Sequence, residues 1–120
     1  MDKTKNKDTG NVGEQIAADY LISIGYKIID RNLKLICGEV DILALDRKII
    51  VIVEVKTVRG SGFGLAQELV RYKKQKKLLN LARSIEQKYP ARRLRIDVIG
   101  VSLDCYPPKV EHLISAVEGK

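Results

Sequence analysis

The 120-residue sequence has no tryptophan, one histidine, one phenylalanine and two cysteines. Cys37 and Cys105 form no Cys-x-x-Cys pair, and His112 is the single histidine, so the chain cannot supply the four ligands of a structural zinc site. Two unpaired cysteines are typical of a reducing compartment. We therefore expect buried structural thiols in a cytoplasmic protein.

Long apolar runs are also missing. No stretch approaches the roughly 20 apolar residues that span a bilayer, so we expect no membrane partner. The first ten residues, "MDKTKNKDTG", lack the apolar segment of a signal peptide. We expect residues 1–10 to be a disordered polar tail and residues 11–120 to fold as a single domain.

The positive charge is concentrated in one part of the chain. The net charge is +7, and residues 59–95 hold eleven lysines and arginines against two glutamates, a net of +9. This asymmetry is typical of a protein that binds a polyanion, although a charged run alone is as often a solvated helix face.

The hydrophobic pattern predicts the order α-β-β-β-α-β. Helical spacing extends over residues 11–24 and 65–89, and strands are predicted over 26–36, 39–45, 48–58 and 93–103. Residues 110–117 fit an edge strand or a short helix. Because the second helix returns the chain beside the third strand, those two strands should be parallel. We therefore predict an α/β fold with a mixed central sheet flanked by helices.

The third predicted strand, "VIVEVKTV" (51–58), carries Glu54 and Lys56 in an otherwise apolar run. Residues two apart in a strand point the same way, so these two side chains share a face. If Asp46 and Arg47 form the turn, Asp41 of the preceding strand lies opposite Ile52.

This pairing places Glu39 opposite Glu54, and Glu39, Asp41, Glu54 and Lys56 then share one face. A turn longer by two residues preserves that arrangement, whereas an odd change destroys it. Three acids and a lysine on such a hairpin need compensation. They form either a salt-bridge cluster on a wet face or a site for a hard cation such as Mg²⁺.

A wider set of motifs resembles a known family. It comprises "GE..A..YL...GY.I..RN", "GEVDILALD", "VIVEVKTV", the "FG" at 63–64 and "RIDVIGV", from about Gly13 to Val101. Together they resemble the YraN family of small bacterial predicted nucleases, which is similar to archaeal Holliday-junction resolvases. The resemblance implies a restriction-endonuclease-like fold with a PD-(D/E)xK site, in which Val40 replaces the proline.

The resemblance also implies roles for individual residues. Asp41, Glu54 and the Val55 carbonyl would bind Mg²⁺ or Mn²⁺, and Lys56 would position and help deprotonate the attacking water. Glu14 would reach towards the metal from the first helix. Glu39 and Gln67 are candidates for supporting positions around the metal, and a plain surface role is the alternative for both.

The expected polyanion is nucleic acid. Lysine and arginine contacts to its phosphates give affinity without reading sequence. "RYKKQKK" (71–77) places five cations on about two helical turns, and Arg95 adds charge in the next strand. The candidate phosphate-contacting residues are Arg71, Lys73, Lys74, Lys76, Lys77, Arg92 and Arg93.

These observations lead to two hypotheses. The first is a metal-dependent endonuclease that hydrolyses phosphodiester bonds in DNA, with branched or damaged DNA in repair or recombination as one substrate class. The second is a nucleic-acid-binding module on the same fold with weak or no catalysis. The sequence does not choose between DNA and RNA, among duplex, flap and junction, or between a monomer and a homodimer.

Overall fold

The computed structural model describes residues 3–58, 75–104 and 106–117. These residues form helix α1 (Lys3–Ser23), strands β1 (Lys27–Leu35), β2 (Gly38–Asp46) and β3 (Ile49–Val58), helix α2 (Gln75–Lys88), and strands β4 (Arg93–Ser102) and β5 (Lys109–Val117). No helix in these ranges is long and apolar enough to cross a membrane.

The strands form one five-stranded mixed sheet in the order β1-β2-β3-β4-β5. β3 and β4 pair in parallel, and the other neighbouring pairs are antiparallel. The predicted α/β architecture with a mixed sheet is therefore confirmed, and residues 110–117 belong to the edge strand β5. The first strand is irregular: its register with β2 shifts between Ile28 and Asp30, and Asn32 has a positive φ.

Helix α1 covers one face of the sheet. Its side chains Ala17, Ala18 and Leu21 are buried against apolar residues of β2, β3 and β4. The helix begins at Lys3, so residues 3–10 are helical where the sequence analysis expected a disordered tail.

Helix α2 covers the opposite face. Leu78, Leu81 and Ile85 recur at helical spacing and are buried against a second apolar set that includes Ile50 and Ile52 of β3. β3 therefore alternates between the two cores, with Val51, Val53 and Val55 facing α1. The sheet is therefore covered on both faces.

Candidate functional site

The β2–β3 hairpin has a register two residues away from the predicted one. Asp46 pairs with Ile49, so the turn residues are Arg47 and Lys48, and Arg47 has a φ of 60°. The predicted turn at Asp46–Arg47 is therefore wrong, as are the predicted pairings of Asp41 with Ile52 and of Glu39 with Glu54. The error of two preserves the parity of the faces, and continuing the observed register brings Asp41 opposite Glu54.

Asp41 lies where the two strands stop pairing in the regular way. The paired register runs from Asp46↔Ile49 to Ile42↔Val53. One Asp41 carboxylate oxygen, Oδ2, then accepts a hydrogen bond of 2.8 Å from the backbone N–H of Val55. The Asp41 side chain thus replaces a ladder bond between the strands and is fixed beside the Glu54–Lys56 segment.

The neighbouring strand is irregular at the same level. Arg31 pairs with Ile42 and Leu33 with Val40, which leaves Asn32, with a φ of 53°, opposite Asp41. Val40 packs in the same core as Leu43, although strict alternation would send residues three apart to opposite faces. Because of this break in alternation, the Asp41 side chain belongs to neither of the two apolar rows of β2.

Glu54 and Lys56 share a face, as predicted from their spacing. Lys56 Nζ lies 3.5 Å from Glu54 Oε2, and Glu54 is only 6% exposed. A buried carboxylate needs a compensating charge, and Lys56 supplies part of it.

Gly13 sets the distance between helix α1 and β3. A Cβ atom at this position would overlap the Oγ1 atom of Thr57, which follows Lys56 in the chain. Only glycine permits this close approach, and it brings the adjacent Glu14 towards the acidic residues. The sequence signal for this contact is an isolated glycine within a helical pattern.

The carboxylates of the site perturb one another. Burial, followed by repulsion from Glu54, raises the pKa of Asp41 to about 7, although the Val55 N–H opposes the increase. Glu14 and Glu39 contribute smaller increases. Burial also raises the pKa of Glu14, with Arg31 opposing the change. The four acids therefore form one electrostatic cluster, which we call the acidic cluster (Glu14, Glu39, Asp41 and Glu54).

The acidic cluster fits a divalent cation in part. Within residues 3–58, 75–104 and 106–117, no three histidine, cysteine, aspartate or glutamate side chains converge as a preformed metal site. Mg²⁺, however, is usually held by one or two carboxylates together with waters and substrate phosphates. Asp41 and Glu54 supply two carboxylates, and Glu14 Oε1 is a buried oxygen with no hydrogen-bond partner among the described residues. The donor set and its mutual repulsion therefore suit a cation.

The predicted phosphate-contacting residues are described in part. Lys77 is exposed on α2, and Arg92 and Arg93 are exposed before and at the start of β4. The side chain of Lys76 lies outside the described part of the chain, as do Gln67, Arg71, Lys73 and Lys74. Cys105 does as well, whereas Cys37 is exposed and is not the buried thiol that was expected.

Arg95 has a different environment from the one expected. It donates to both oxygens of Asp97, from Nε at 2.9 Å and from NH2 at 3.0 Å. It also forms an ion pair of 3.0 Å with Asp46. Because these partners hold the guanidinium on the sheet, Arg95 adds no charge to a phosphate-binding surface.

Asp97 and His112 form the centre of a buried network that the sequence analysis missed. Asp97 is fully buried, and its Oδ2 lies 2.8 Å from His112 Nε2. The other imidazole nitrogen lies 3.0 Å from the hydroxyl of Tyr20 in α1. Burial raises the pKa of Asp97, but hydrogen bonds from His112 and Arg95 outweigh it, and the net pKa is lowered. An ionised Asp97 can only accept, so the Nε2–H of His112 donates to it.

Comparison with known proteins identifies the family. Residues 13–101 match the uncharacterised protein family UPF0102. The chain belongs to this family. It is the YraN family, so the resemblance inferred from the motifs is confirmed.

The relatives match over nearly their whole length. A UPF0102 protein of Caldanaerobacter subterraneus subsp. tengcongensis is 40% identical over 97% of this chain and 99% of its own. One from Trichlorobacter lovleyi is 42% identical over 94% and 92%. Among solved structures, Pyrococcus furiosus SfsA in complex with Ca²⁺ is 15% identical with a TM-score of 0.34, covering 94% of this chain and 65% of that one. A likeness this weak carries no argument.

Proposed function

We propose that this UPF0102 protein is a metal-dependent endonuclease that hydrolyses phosphodiester bonds in nucleic acid, with DNA as the expected substrate. The proposal includes a restriction-endonuclease-like core, in which the β2–β3 hairpin carries the reactive groups. The observation that supports it most directly is the placement of Asp41, fixed by a hydrogen bond of 2.8 Å from the Val55 N–H, beside the buried Glu54 and its partner Lys56. Burial and repulsion from Glu54 raise the pKa of Asp41 to about 7.

Buried carboxylates that also repel one another take up either protons or cations. A divalent cation bound by Asp41 and Glu54 would remove the repulsion, with the Val55 carbonyl as the expected third ligand. When bound, the cation supplies an acidified water and withdraws charge from a phosphate oxygen. The chain's own contribution is to hold the two carboxylates in place through the Val55 N–H bond and the Lys56 ion pair.

Lys56 is the candidate for proton transfer and charge stabilisation. Its ammonium group is held within 3.5 Å of Glu54, so it stays beside the carboxylates. In its neutral form, an amine at this position could orient the attacking water and accept its proton, and the ammonium group so formed could donate to the oxygen on which charge develops. Glu14 is a candidate for holding a second water, because its Oε1 is buried and no side chain or backbone group in the described part of the chain forms a hydrogen bond with it.

One observation favours a second candidate function, a nucleic-acid-binding module with weak or no catalysis. Among the described residues, no three potential ligands converge into a ready metal site. A binding module needs only the basic residues, such as Lys77, and tolerates an incomplete acidic cluster.

The deciding experiment is cleavage of a panel of labelled duplex, single-stranded, flap and four-way substrates with Mg²⁺, Mn²⁺ or EDTA. We expect metal-dependent cleavage by the wild type and none by Lys56→Ala, since this change removes the amine but no carboxylate. Nucleic-acid affinity in EDTA should change less than about 2-fold, because one lysine contributes little to a surface of many cations.

Lys48→Ala is the matched control, because Lys48 is an exposed lysine at the turn of the same hairpin. It should cleave like the wild type. Wild-type cleavage by Lys56→Ala would exclude the proposed role of this amine. Nucleic-acid binding without cleavage by the wild type, under every metal condition, would favour the binding module.

A further inference from the structure

The turn between β1 and β2 presents an unusual side chain to solvent. Leu35 pairs with Gly38, so the tip of this hairpin consists of Ile36 and Cys37. Ile36 exposes 109% of its reference surface, the largest value among the exposed apolar residues of the described chain. Hairpin tips favour glycine, asparagine and aspartate, and here Gly38 supplies the positive φ of 149°. The geometry of the turn therefore does not favour an isoleucine at this position.

The tip is braced against helix α2. Cys37 Sγ lies 3.3 Å from Ser84 Oγ. A Cβ atom at Gly38 would lie 3.3 Å from Lys77 Cε and 3.5 Å from a methyl group of Leu81. Lys77, Leu81 and Ser84 lie along one side of α2 at helical spacing. Ile36 therefore projects from a supported position.

The charge around the tip matches a polyanion. Lys77, one of the predicted phosphate-contacting residues, lies directly over Gly38. Lys34 is exposed on the β1 side of the same turn, and Arg83 is exposed on α2 beside Ser84. An apolar tip with cations around it is suited to a partner that combines phosphates with apolar ring faces.

The tip and the acidic cluster share strand β2. Asp41 lies four residues beyond Cys37, which at a strand rise of about 3.3 Å per residue is roughly 13 Å. The rise of a nucleic-acid strand is about 3.4 Å per base, so a nucleic-acid strand lying along β2 would place about four bases between the hairpin tip and Asp41.

We propose that Ile36 is a wedge that packs against an unstacked base of the nucleic-acid substrate, at a branch point or a junction between single and double strand. The inference rests on the proposed function, because it assumes a nucleic-acid partner. It adds to that function a preference for branched over continuous duplex, since a base already unstacked costs less to engage. Lys34 and Lys77 would hold the flanking phosphates.

The test compares the wild type with Ile36→Ser by fluorescence anisotropy. The probes are a four-way junction and a linear duplex of equal length, in EDTA, so that no cleavage occurs. We expect Ile36→Ser to lose about 10-fold in affinity for the junction, as expected for an isoleucine that no longer buries its side chain. Affinity for the duplex should change less than about 2-fold, and the salt dependence should be unchanged because no cation is removed.

Ile114→Ser is the matched control, because Ile114 is 54% exposed on β5, at the opposite edge of the sheet. It should bind both probes like the wild type. Since Ile36 is fully exposed and Ile114 is 54% exposed, thermal denaturation should show all three proteins folded at the temperature of the binding assay.

Three outcomes would overturn the wedge. They are equal binding of junction and duplex by the wild type, unchanged junction binding by Ile36→Ser, and conversion of a dimer into a monomer by Ile36→Ser, which would make the tip a self-association contact. Loss of junction preference in Ile36→Ser would support the wedge even if the wild type cleaves nothing. The two proposals can therefore fail separately, unless the wild type binds no nucleic acid at all.

Discussion

Asp41→Asn should change the pH dependence of folding in a way that few surface substitutions can. In the folded chain without a divalent cation, burial and Glu54 raise the pKa of Asp41 from 3.8 to about 7. The folded state therefore retains a proton that the unfolded state releases. Between about pH 4 and pH 7 the unfolded state binds fewer protons, so wild-type stability falls as the pH rises through this window.

The size of the effect follows from the same values. A pKa raised from 3.8 to about 7 corresponds to at most about 4 kcal/mol at pH 8. The side chain is partly exposed, and water moderates the repulsion, so we expect about 2 kcal/mol. Asparagine has a similar shape, keeps an oxygen for the Val55 N–H and cannot ionise. Asp41→Asn should therefore be more stable than the wild type by about 2 kcal/mol at pH 8, or about 8 °C in melting temperature.

The assay is thermal or urea denaturation in EDTA at intervals between pH 4.5 and pH 8, read as the difference between wild type and variant. Titrating groups that do not interact with Asp41 cancel in this difference, and Asp19→Asn, which removes an exposed carboxylate of α1, serves as the control. Addition of Mg²⁺ or Mn²⁺ at pH 8 should then stabilise the wild type, by about 2.7 kcal/mol at a hundred times its dissociation constant, but not Asp41→Asn. A difference that is flat with pH, or equal metal stabilisation of both proteins, would refute the reasoning.

Two further predictions concern the packing around the site. Gly13→Ala should lower the free energy of unfolding by about 2 kcal/mol, because its Cβ would overlap Thr57. Thr57→Ala should restore part of this loss in the double variant. If urea denaturation shows the two substitutions to be simply additive, the contact is contradicted. Asp97→Asn should lose about 3 kcal/mol at pH 7, because it leaves Arg95 without its buried carboxylate. Because folding lowers the pKa of Asp97, the stability that the ionised carboxylate contributes is lost as the pH falls through the folded-state pKa. The stability difference between the wild type and Asp97→Asn, measured by denaturation, should therefore shrink in acid.

The sequence predicted the parts of this fold that depend on local patterns. Alternation in β3 is strict, so the common face of Glu54 and Lys56 followed from spacing alone. The register of the β2–β3 hairpin could not be predicted from spacing, because neither Asp46–Arg47 nor Arg47–Lys48 carries the glycine that marks a turn. Asp46 is instead held by Arg95, which is 49 positions away in the chain. No local pattern could reveal that constraint.

The buried network around Asp97 shows the same limit. His112 reaches Asp97 only because β5 pairs with β4 across a register shift between Ile96 and Val98. The sequence marks His112 only as a solitary histidine that cannot complete a zinc site. Similarly, Gly13 is visible as a glycine in a helix, but its contact with Thr57 depends on the crossing of α1 over β3.

The charge distribution of the site explains why a cation and a polyanion should bind together. The acidic cluster has four carboxylates, with Lys56 and Arg31 as the cations that interact with it. Phosphate would be repelled by such a cluster, although the remote basic residues attract it. A divalent cation held by Asp41 and Glu54 would offset the charge of these two carboxylates, so each ligand would favour the binding of the other by the same factor. Under the proposed function, Asp41 would couple the basic residues, whose phosphate contacts would give affinity without chemistry, to the hairpin, which would carry the chemistry once the repulsion within the acidic cluster is relieved.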